Sequence, residues 1–295
     1  MNSAKTLNEP IIVARQLSYS YQTGPLRKVA LSGIDLEIER GSCAAIIGVT
    51  GSGKTTLIQH FNGLLRPSSG SIVVDGIEIG AKDADLRTLR QRVGMLFQFP
   101  EKQLFERTVF ADVAFGPKRM HLSRREIRSR VMAALEMVGL PHCDYAHRSP
   151  FGLSGGQQRR IALAGVLAMS PKVLVLDEPT VGLDADARIE FYSYLKRVQH
   201  QQQVTIIIVS HDMTEVAELA DTLFVLHEGK LAMQGAPRKV FAQPDQLRSW
   251  GLAAPPLSEL LSLLQQRGVS LPEDTLTLEE GYGLLKMLHE NVLQQ

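Results

Sequence analysis

The chain has 295 residues, 44% of them apolar, and a formal net charge of +1. That length accommodates one large domain or two modest ones with a full core, and the near-neutral charge gives no reason to expect a nucleic-acid partner. No apolar run approaches the roughly 20 residues that cross a bilayer, and the N-terminal segment MNSAKTLNEP lacks the apolar stretch of a signal peptide. Cys43 and Cys143, far apart and outside any CxxC pattern, are expected to be reduced, buried small hydrophobes of a cytosolic protein.

Residues 11–40 read as β structure, because Ile34, Leu36 and Ile38 alternate with Asp35, Glu37 and Glu39, the period of a half-buried strand. Tyr19 and Tyr21 lie in this region; Tyr21 is a candidate to stack on a purine, and Tyr19 competes with it, since half-buried strand aromatics are common. Ala44–Ile47 reads as a short buried strand, and residues 55–63 read as a helix.

Between them lies GVTGSGKT, Gly48 to Thr55. Gly48, Gly51 and Gly53 let the backbone turn with no Cβ in the way of a phosphate, and the freed N–H groups face anionic oxygens. Lys54 carries positive charge to the β- and γ-phosphates, and the Thr55 hydroxyl suits Mg²⁺. The following helix aims its positive end at the same place. Gly48, Thr50, Gly51, Ser52, Gly53, Lys54, Thr55 and Thr56 are the residues expected to touch a nucleoside triphosphate. No second such loop and no internal repeat is present in the sequence.

Ser71–Val74 with the Asp75-Gly76 turn reads as another strand, and Gln98 ends an apolar run from Val93 to Phe97. From about Pro100 to Gly165 the pattern turns helical, with a stripe at Val131, Leu135 and Val138 that stops at Gly139 and Pro141. Lys118, Arg119, Arg124, Arg125, Arg128 and Arg130 form a basic string, ordinarily a solvated helical face, with contact to lipid headgroups or an acidic partner as the other reading. Leu153-Ser-Gly-Gly-Gln157 opens a helix to about Met169, with Ser154 as N-cap and Gly155 and Gly156 leaving amides open to a second anion.

Val173–Leu176 reads as a buried strand followed by Asp177 and Glu178, carboxylates at a strand end where α/β proteins bind ligands. Asp177 suits Mg²⁺, and Glu178 suits proton abstraction from an attacking water. Ala187–Val198 is read as a helix, Val204–Val209 as a strand ending near His211, and Met213–Leu219 as a short helix. Thr222–Leu226 and Leu231–Met233 flank Glu228-Gly229 as a hairpin. Past Pro255-Pro256, Leu257, Leu260, Leu261 and Leu264 form a helical stripe capped by Gly268, and Thr277 with Glu280 signals a last capped helix. This tail is acidic, with six acids and two bases from residue 251 onward.

Taken together, GVTGSGKT, Gln98, LSGGQ at 153–157, VLVLDE at 173–178, Gly182-Leu-Asp184 and His211 resemble, in their order, the motifs of ABC transporter ATP-binding subunits; the likeness covers about residues 11–240. Phe97-Gln-Phe-Pro-Glu-Lys-Gln-Leu-Phe-Glu106, Thr108-Val109 and Phe115-Gly-Pro117 are similar more narrowly to the energy-coupling-factor (ECF) group, and within it to the second of two paired ATPases. Ala185 departs from the Pro that often follows the D-loop Asp in the family.

The resemblance implies an α/β P-loop NTPase core with a mostly parallel sheet, an antiparallel β subdomain, a helical subdomain at about 99–166 and a C-terminal helical extension. Residues 1–244 would form the ATPase domain and 245–295 an extension for dimerisation or assembly. It implies ATP and Mg²⁺ as ligands, with Thr55, Asp177 and Gln98 toward the metal. Glu178 would be the base and His211 would stabilise the γ-phosphate. Ser154, Gly155, Gly156, Gln157 and Asp184 would serve a nucleotide held by a second ABC ATPase, related or identical. The remaining partners would be a membrane-embedded coupling subunit, docking near Phe99–Phe105, and a substrate-binding membrane subunit, at the cytoplasmic face of the cell membrane. The implied activity is ATP hydrolysis driving uptake of a vitamin or transition-metal ion. Other ABC transporter classes, and soluble ABC ATPases of DNA repair or translation, are the alternatives; the roughly hundred residues between phosphate loop and LSGGQ carry no heptads for a repair-type coiled coil.

Overall fold

The computed structural model describes residues 9–23, 26–267, 280–283 and 286. Two sheets organise it. Strands β1 (Pro10–Thr23) and β2 (Leu26–Glu39) pair antiparallel along their length, and β4 (Ser69–Val74) and β5 (Ile77–Glu78) extend that sheet in the order β2-β1-β4-β5. The second sheet contains β3 (Cys43–Ile47), β6 (Val93–Leu96), β7 (Val173–Asp177), β8 (Thr205–Val209), β9 (Thr222–His227) and β10 (Lys230–Gly235), in the order β10-β9-β3-β8-β7-β6. All its neighbours run parallel except β10, which returns antiparallel along β9.

Every residue of β3, β6, β7 and β8 is buried, as expected of parallel strands covered on both faces. The pleat divides them. Val173, Val175, Ile207 and Val209 face a core shared with the antiparallel sheet and with α1 (Lys54–Phe61), through Leu57, Ile58 and Phe61. Leu174, Leu176, Ile206 and Ile208 face the opposite side, against the helical region.

Helix α2 (Leu86–Arg92) leads directly into β6; Asp85 caps it by accepting the Thr88 amide at 3.0 Å. Leu89 of this helix is buried and Leu86 packs against the same core, a two-residue stripe too short to announce a helix in the sequence. The helical region contains α3 (Val109–Val113), α4 (Phe115–Lys118), α5 (Arg124–Met137), α6 (His142–Tyr145) and α7 (Gly155–Leu167). Ser123 and Glu126 form a reciprocal capping box at the start of α5. Val131, Leu135 and Val138 are buried as their spacing requires, and the chain leaves the helix through Gly139 at φ 68°. The basic string from Lys118 to Arg130 lies on the outside of this region, with Arg119 over the Phe115 ring and Arg130 bonded to the Met169 carbonyl. Cys43 is buried, but Cys143 is exposed: it sits on α6, a single turn with no buried residue, so the expectation for that thiol is corrected.

Helix α8 (Ala185–Gln202) extends beyond the predicted Ala187–Val198 and packs Phe191, Leu195 and Val198 under the helical-side core. A third cluster joins Ala45, Ile47, Leu223 and Val225 to α9 (Met213–Leu219), α10 (Pro237–Phe241) and α11 (Pro244–Ser249). Leu247, Leu252 and Ala254 belong to it, so core packing continues across residue 244. Helix α12 (Pro256–Gln266) carries the leucine stripe, with Leu261 buried and Leu260 exposed. The Gly268 cap and Thr277 of the last capping box lie outside the described residues. No helix among the described residues is long and apolar enough to cross a membrane.

Candidate nucleotide site

Four adjacent strands, β3, β8, β7 and β6, end on the same edge of the sheet, because their registers match: Ile46 with Val209, Asp177 with Val209, Leu96 with Leu176. Parallel pairing therefore gathers the segments just past each strand's carboxyl end into one crevice. The phosphate loop succeeds β3, Glu178 succeeds β7, His211 succeeds β8 and Gln98 succeeds β6. One cavity of about 500 Å³ is lined by Tyr21, Thr50, Gly51, Gly53, Lys54, Thr55, Thr56, Gln98, Asp177, Glu178 and His211.

The loop's glycines are required by its geometry. Gly53 caps α1 at φ 107°, and a Cβ there would stand 2.7 Å from the Ala30 carbonyl oxygen. At Gly48 a Cβ would meet the Leu226 carbonyl at 2.3 Å. A glycine N-cap offers no side chain to the first turn, so the amides of α1 stay open to an anion. Gly48 and Ser52 do not line the cavity; Ser52 is buried behind the loop, where its carbonyl takes the Gly229 amide at 3.0 Å.

Lys54 donates to the Gly48 and Val49 carbonyls at 2.6 and 3.2 Å. Burial lowers its pKa, and the charges of Glu178 and Asp177 act against that. Asp177 is buried at the end of β7; burial raises its carboxyl while Lys54 and a hydrogen bond from Thr55 hold it down. Carboxylate, hydroxyl and the nearby Gln98 amide are oxygen donors, the set a hard cation takes together with water and phosphate oxygens. Among the described residues no group of His, Cys, Asp and Glu could enclose a metal by itself.

Glu178 sits at φ 50°, a left-handed conformation a non-glycine residue adopts only when the surroundings hold it. Its amide is held by the Val209 carbonyl at 2.9 Å, and the turn moves the carboxylate off the strand into the cavity. Burial pushes its pKa up to about 7, against the His211 amide and the Lys54 charge. Nε2 of His211 lies 3.0 Å from Oε1 of Glu178, and burial and Lys54 lower the imidazole's pKa. A carboxyl near neutrality beside a neutral imidazole is an arrangement that can move a proton.

Tyr21 stands at the mouth, 38% exposed, its hydroxyl 3.2 Å from Thr56 Oγ1. Tyr19 packs instead against the core and, edge-on, against His60. The two aromatics of the SYSY run touch edge to face, with centroids 4.9 Å apart, Tyr19 on the core side and Tyr21 at the cavity rim.

The LSGGQ residues are elsewhere. Ser154, Gly155, Gly156 and Gln157, with Asp184, line a separate cavity of about 380 Å³ that shares no residue with the first. Ser154 caps α7 in a reciprocal box with Gln157 at 3.3 and 3.1 Å, and Gln157 also donates to the Tyr145 hydroxyl. Asp184 caps α8 through the Ala187 amide at 2.8 Å. A Cβ added at Gly155 or Gly156 would meet nothing within 4 Å, and neither glycine has a positive φ, so their own fold does not require them.

Sequence reasoning missed two buried polar residues beside the site. Arg159, on α7, donates to the carbonyls of Pro179 and Val181 at 3.0 and 2.8 Å and reaches Glu101 at 3.4 Å, tying the signature helix to the segments after β7 and β6. Glu215, on α9, is bonded by Ser210 and Thr180. Its only sequence signal is a charge inside the apolar stripe formed by Val216 and Leu219.

A phosphate loop, a strand-end acidic pair, a strand-end histidine and a distant LSGGQ helix on this topology define an ATPase of the ABC class. Residues 31–181 match the family model described as ABC transporter, and the chain belongs to that family, as an ATP hydrolase coupled to transport. More particularly, it is 46% identical to the energy-coupling factor transporter ATP-binding protein EcfA2 of Clostridium tetani over 281 residues, 95% of this chain and 98% of that protein. Against the protein of the same name from Symbiobacterium thermophilum it is 49% identical over 276 residues, 93% of this chain and 95% of the relative. Among solved structures, cbiO1 from Clostridium perfringens, described as part of the ABC transporter complex cbiONQ, has a TM-score of 0.74 at 41% identity, covering 86% of this chain and 99% of that one. A dimeric post-hydrolysis state of the ATP-binding cassette MJ0796, bound to ADP and Pi, has a TM-score of 0.68 at 27% identity, covering 77% and 98%.

Proposed function

We propose that this chain is one of two paired ATPases of an ECF-type importer, driving uptake of a vitamin or transition-metal ion. It would act at the cytoplasmic face of the membrane through a coupling subunit and a substrate-binding subunit. The observation that carries the reading is the division of the motifs between two cavities: one chain holds the phosphate loop with Glu178 and His211, and presents LSGGQ in a different place. Head-to-tail packing of two ATPases brings each signature helix over the other's phosphate loop. The sterically unneeded Gly155 and Gly156 fit this, since bare amides at a helix start accept a phosphate arriving from outside the chain.

In this mechanism the loop amides and Lys54 bind the phosphates and stabilise charge on the γ-phosphoryl group. Thr55 and Asp177, with Gln98, would hold Mg²⁺, which would supply positive charge to offset that of the phosphates. Glu178 takes the proton from the attacking water at its carboxylate. His211 holds the γ-phosphate and orients the water, and Tyr21 stacks on adenine. Ser154, Gly156, Gln157 and Asp184 complete the partner's site. Two nucleotides then bind the ATPases together, and hydrolysis weakens that contact. A helix of the coupling subunit would dock near the exposed aromatics Phe99 and Phe105.

The test is affinity purification of the tagged chain from detergent-solubilised membranes, with every companion identified by mass spectrometry. A second, related ATPase and two membrane subunits are expected. Nucleic acid or ribosomal companions, with no membrane protein, would overturn the importer reading. Full-rate hydrolysis by a chain shown to stay monomeric during turnover would overturn the shared-site mechanism.

A further inference from the structure

Glu215 is a buried carboxylate that the hydrolysis mechanism does not use. It is 1% exposed and lies in the first turn of α9. Its Oε2 accepts the Ser210 hydroxyl at 2.5 Å and the Thr180 hydroxyl at 3.3 Å. Tyr192 of α8 lies near the same carboxylate, and the negative charge of Asp212 acts on it as well. Among the described residues no Lys, Arg or His forms an ion pair with it. Burying a carboxylate without a cation costs several kcal/mol, and α9 could fill the space with an apolar side chain as it does with Val216. Stability does not account for the acid, so its geometry must.

That geometry is a bridge. Ser210 directly precedes His211, and Thr180 comes two residues after Glu178. The Ser210 hydroxyl also accepts the Asp212 amide at 3.0 Å, so the turn that carries His211 is pinned from both sides. Asp212 in turn caps α9 and pairs with Arg188 of α8 at 2.9 Å. Glu215 thus joins the segment after β7 to the segment after β8, the two pieces of backbone whose side chains meet at the 3.0 Å Glu178–His211 contact.

We propose that Glu215 is a positioning residue: by holding the Ser210 and Thr180 hydroxyls together it sets the distance and orientation of His211 relative to Glu178. The inference rests on the assignment of those two residues to the hydrolysis step. Misplacing a reacting group by about 1 Å can cost on the order of a hundredfold in rate, so the bridge acts on kcat rather than on nucleotide binding.

The experiment measures kcat and KM for ATP in the assembled ATPase carrying Glu215→Ala, Glu215→Gln, Ser210→Ala or Thr180→Val, each also combined with His211→Ala. Glu215→Ala is expected to lower kcat about tenfold or more with KM for ATP within about twofold. Glu215→Gln keeps one acceptor oxygen and recovers most of that loss. In the His211→Ala background, Glu215→Ala causes no further loss, because the residue it positions is gone. Should Glu215→Ala fail to fold, Ser210→Ala and Thr180→Val cut the same bridge from its other ends and are expected to show the same split and the same non-additivity. Wild-type kcat in the variants that fold, parallel losses in kcat and ATP affinity with no recovery by Gln, or full additivity with His211→Ala would each overturn the proposal. Additivity alongside a strong His211→Ala defect removes the bridge and leaves the His211 assignment intact. An active His211→Ala enzyme removes both.

Discussion

The phosphate-loop cavity and the LSGGQ cavity are both anion sites by composition, yet they are built in opposite ways. The first is made from the ends of four hydrogen-bonded strands, with Asp177 and Ser52 buried and Gly48 and Gly53 pressed against backbone carbonyls. The second is the start of one helix, closed on itself by the Ser154–Gln157 box, with glycines at which an added Cβ would meet nothing. Under the proposed mechanism, gripping the nucleotide and completing the partner's reaction chamber would be separate tasks, given to separate parts of the chain.

Changes in the first region should damage chemistry or affinity in one chain, and changes in the second should damage only the assembled pair. The largest effect is expected from Glu178→Gln: phosphate release falls by about a hundredfold to ten-thousandfold, the usual contribution of a general base, while equilibrium ATP binding persists. Unchanged turnover would remove Glu178 as the base. The same residue sets the pH dependence. Its carboxyl, raised to about 7 by burial, must be ionised to accept a proton, so kcat/KM for ATP should climb as pH rises through about 7 and be lost below it. A rate flat between about pH 6 and 8 would contradict the assignment, since that interval spans about one unit either side of the group's value.

Lys54→Ala comes next. Losing a charge-assisted contact costs about 1.5–3 kcal/mol, so ATP affinity measured by calorimetry should fall roughly ten- to a hundredfold. Gly156→Asp sharpens the comparison between regions. Its Cβ meets no atom of its own chain, so thermal stability and single-chain ATP affinity should stay near wild type. Turnover of the assembled pair should drop at least about tenfold, because a carboxylate would stand where a phosphate must arrive. A stability loss equal to the activity loss would show that the glycine serves its own fold. The smallest effect is expected for Tyr21→Ala at the cavity rim, a few-fold weakening of ATP binding in keeping with about 0.5–1.5 kcal/mol for an aromatic stack.

Much of the first site was legible because its chemistry is local in sequence. A glycine loop between an apolar run and a helix can be read from one short string, and so can a β-branched run ending in Asp177-Glu178. Gln98 and His211 were less legible, since a lone polar residue after an apolar run acquires meaning only when its strand is placed beside β7. Helix α2 escaped because two leucines in seven residues make only a faint periodic signal. Cys143 was misread because a one-turn helix leaves even a small apolar residue outside. Arg159 and Glu215 were invisible as partners, for the groups they bind are 20 to 35 residues or more away along the chain, apart from Ser210.

Composition and spacing alone thus established a nucleotide-binding α/β chain with a helical insert, because periodicity and loop chemistry are carried by neighbouring residues. Which strands lie side by side, which of Tyr19 and Tyr21 reaches the cavity, how the packing runs across residue 244, and the bridge from Glu215 to the two strand ends were decided by tertiary structure. Each of these depends on contacts between segments far apart in the chain, and only the closed fold brings such segments within reach of a hydrogen bond.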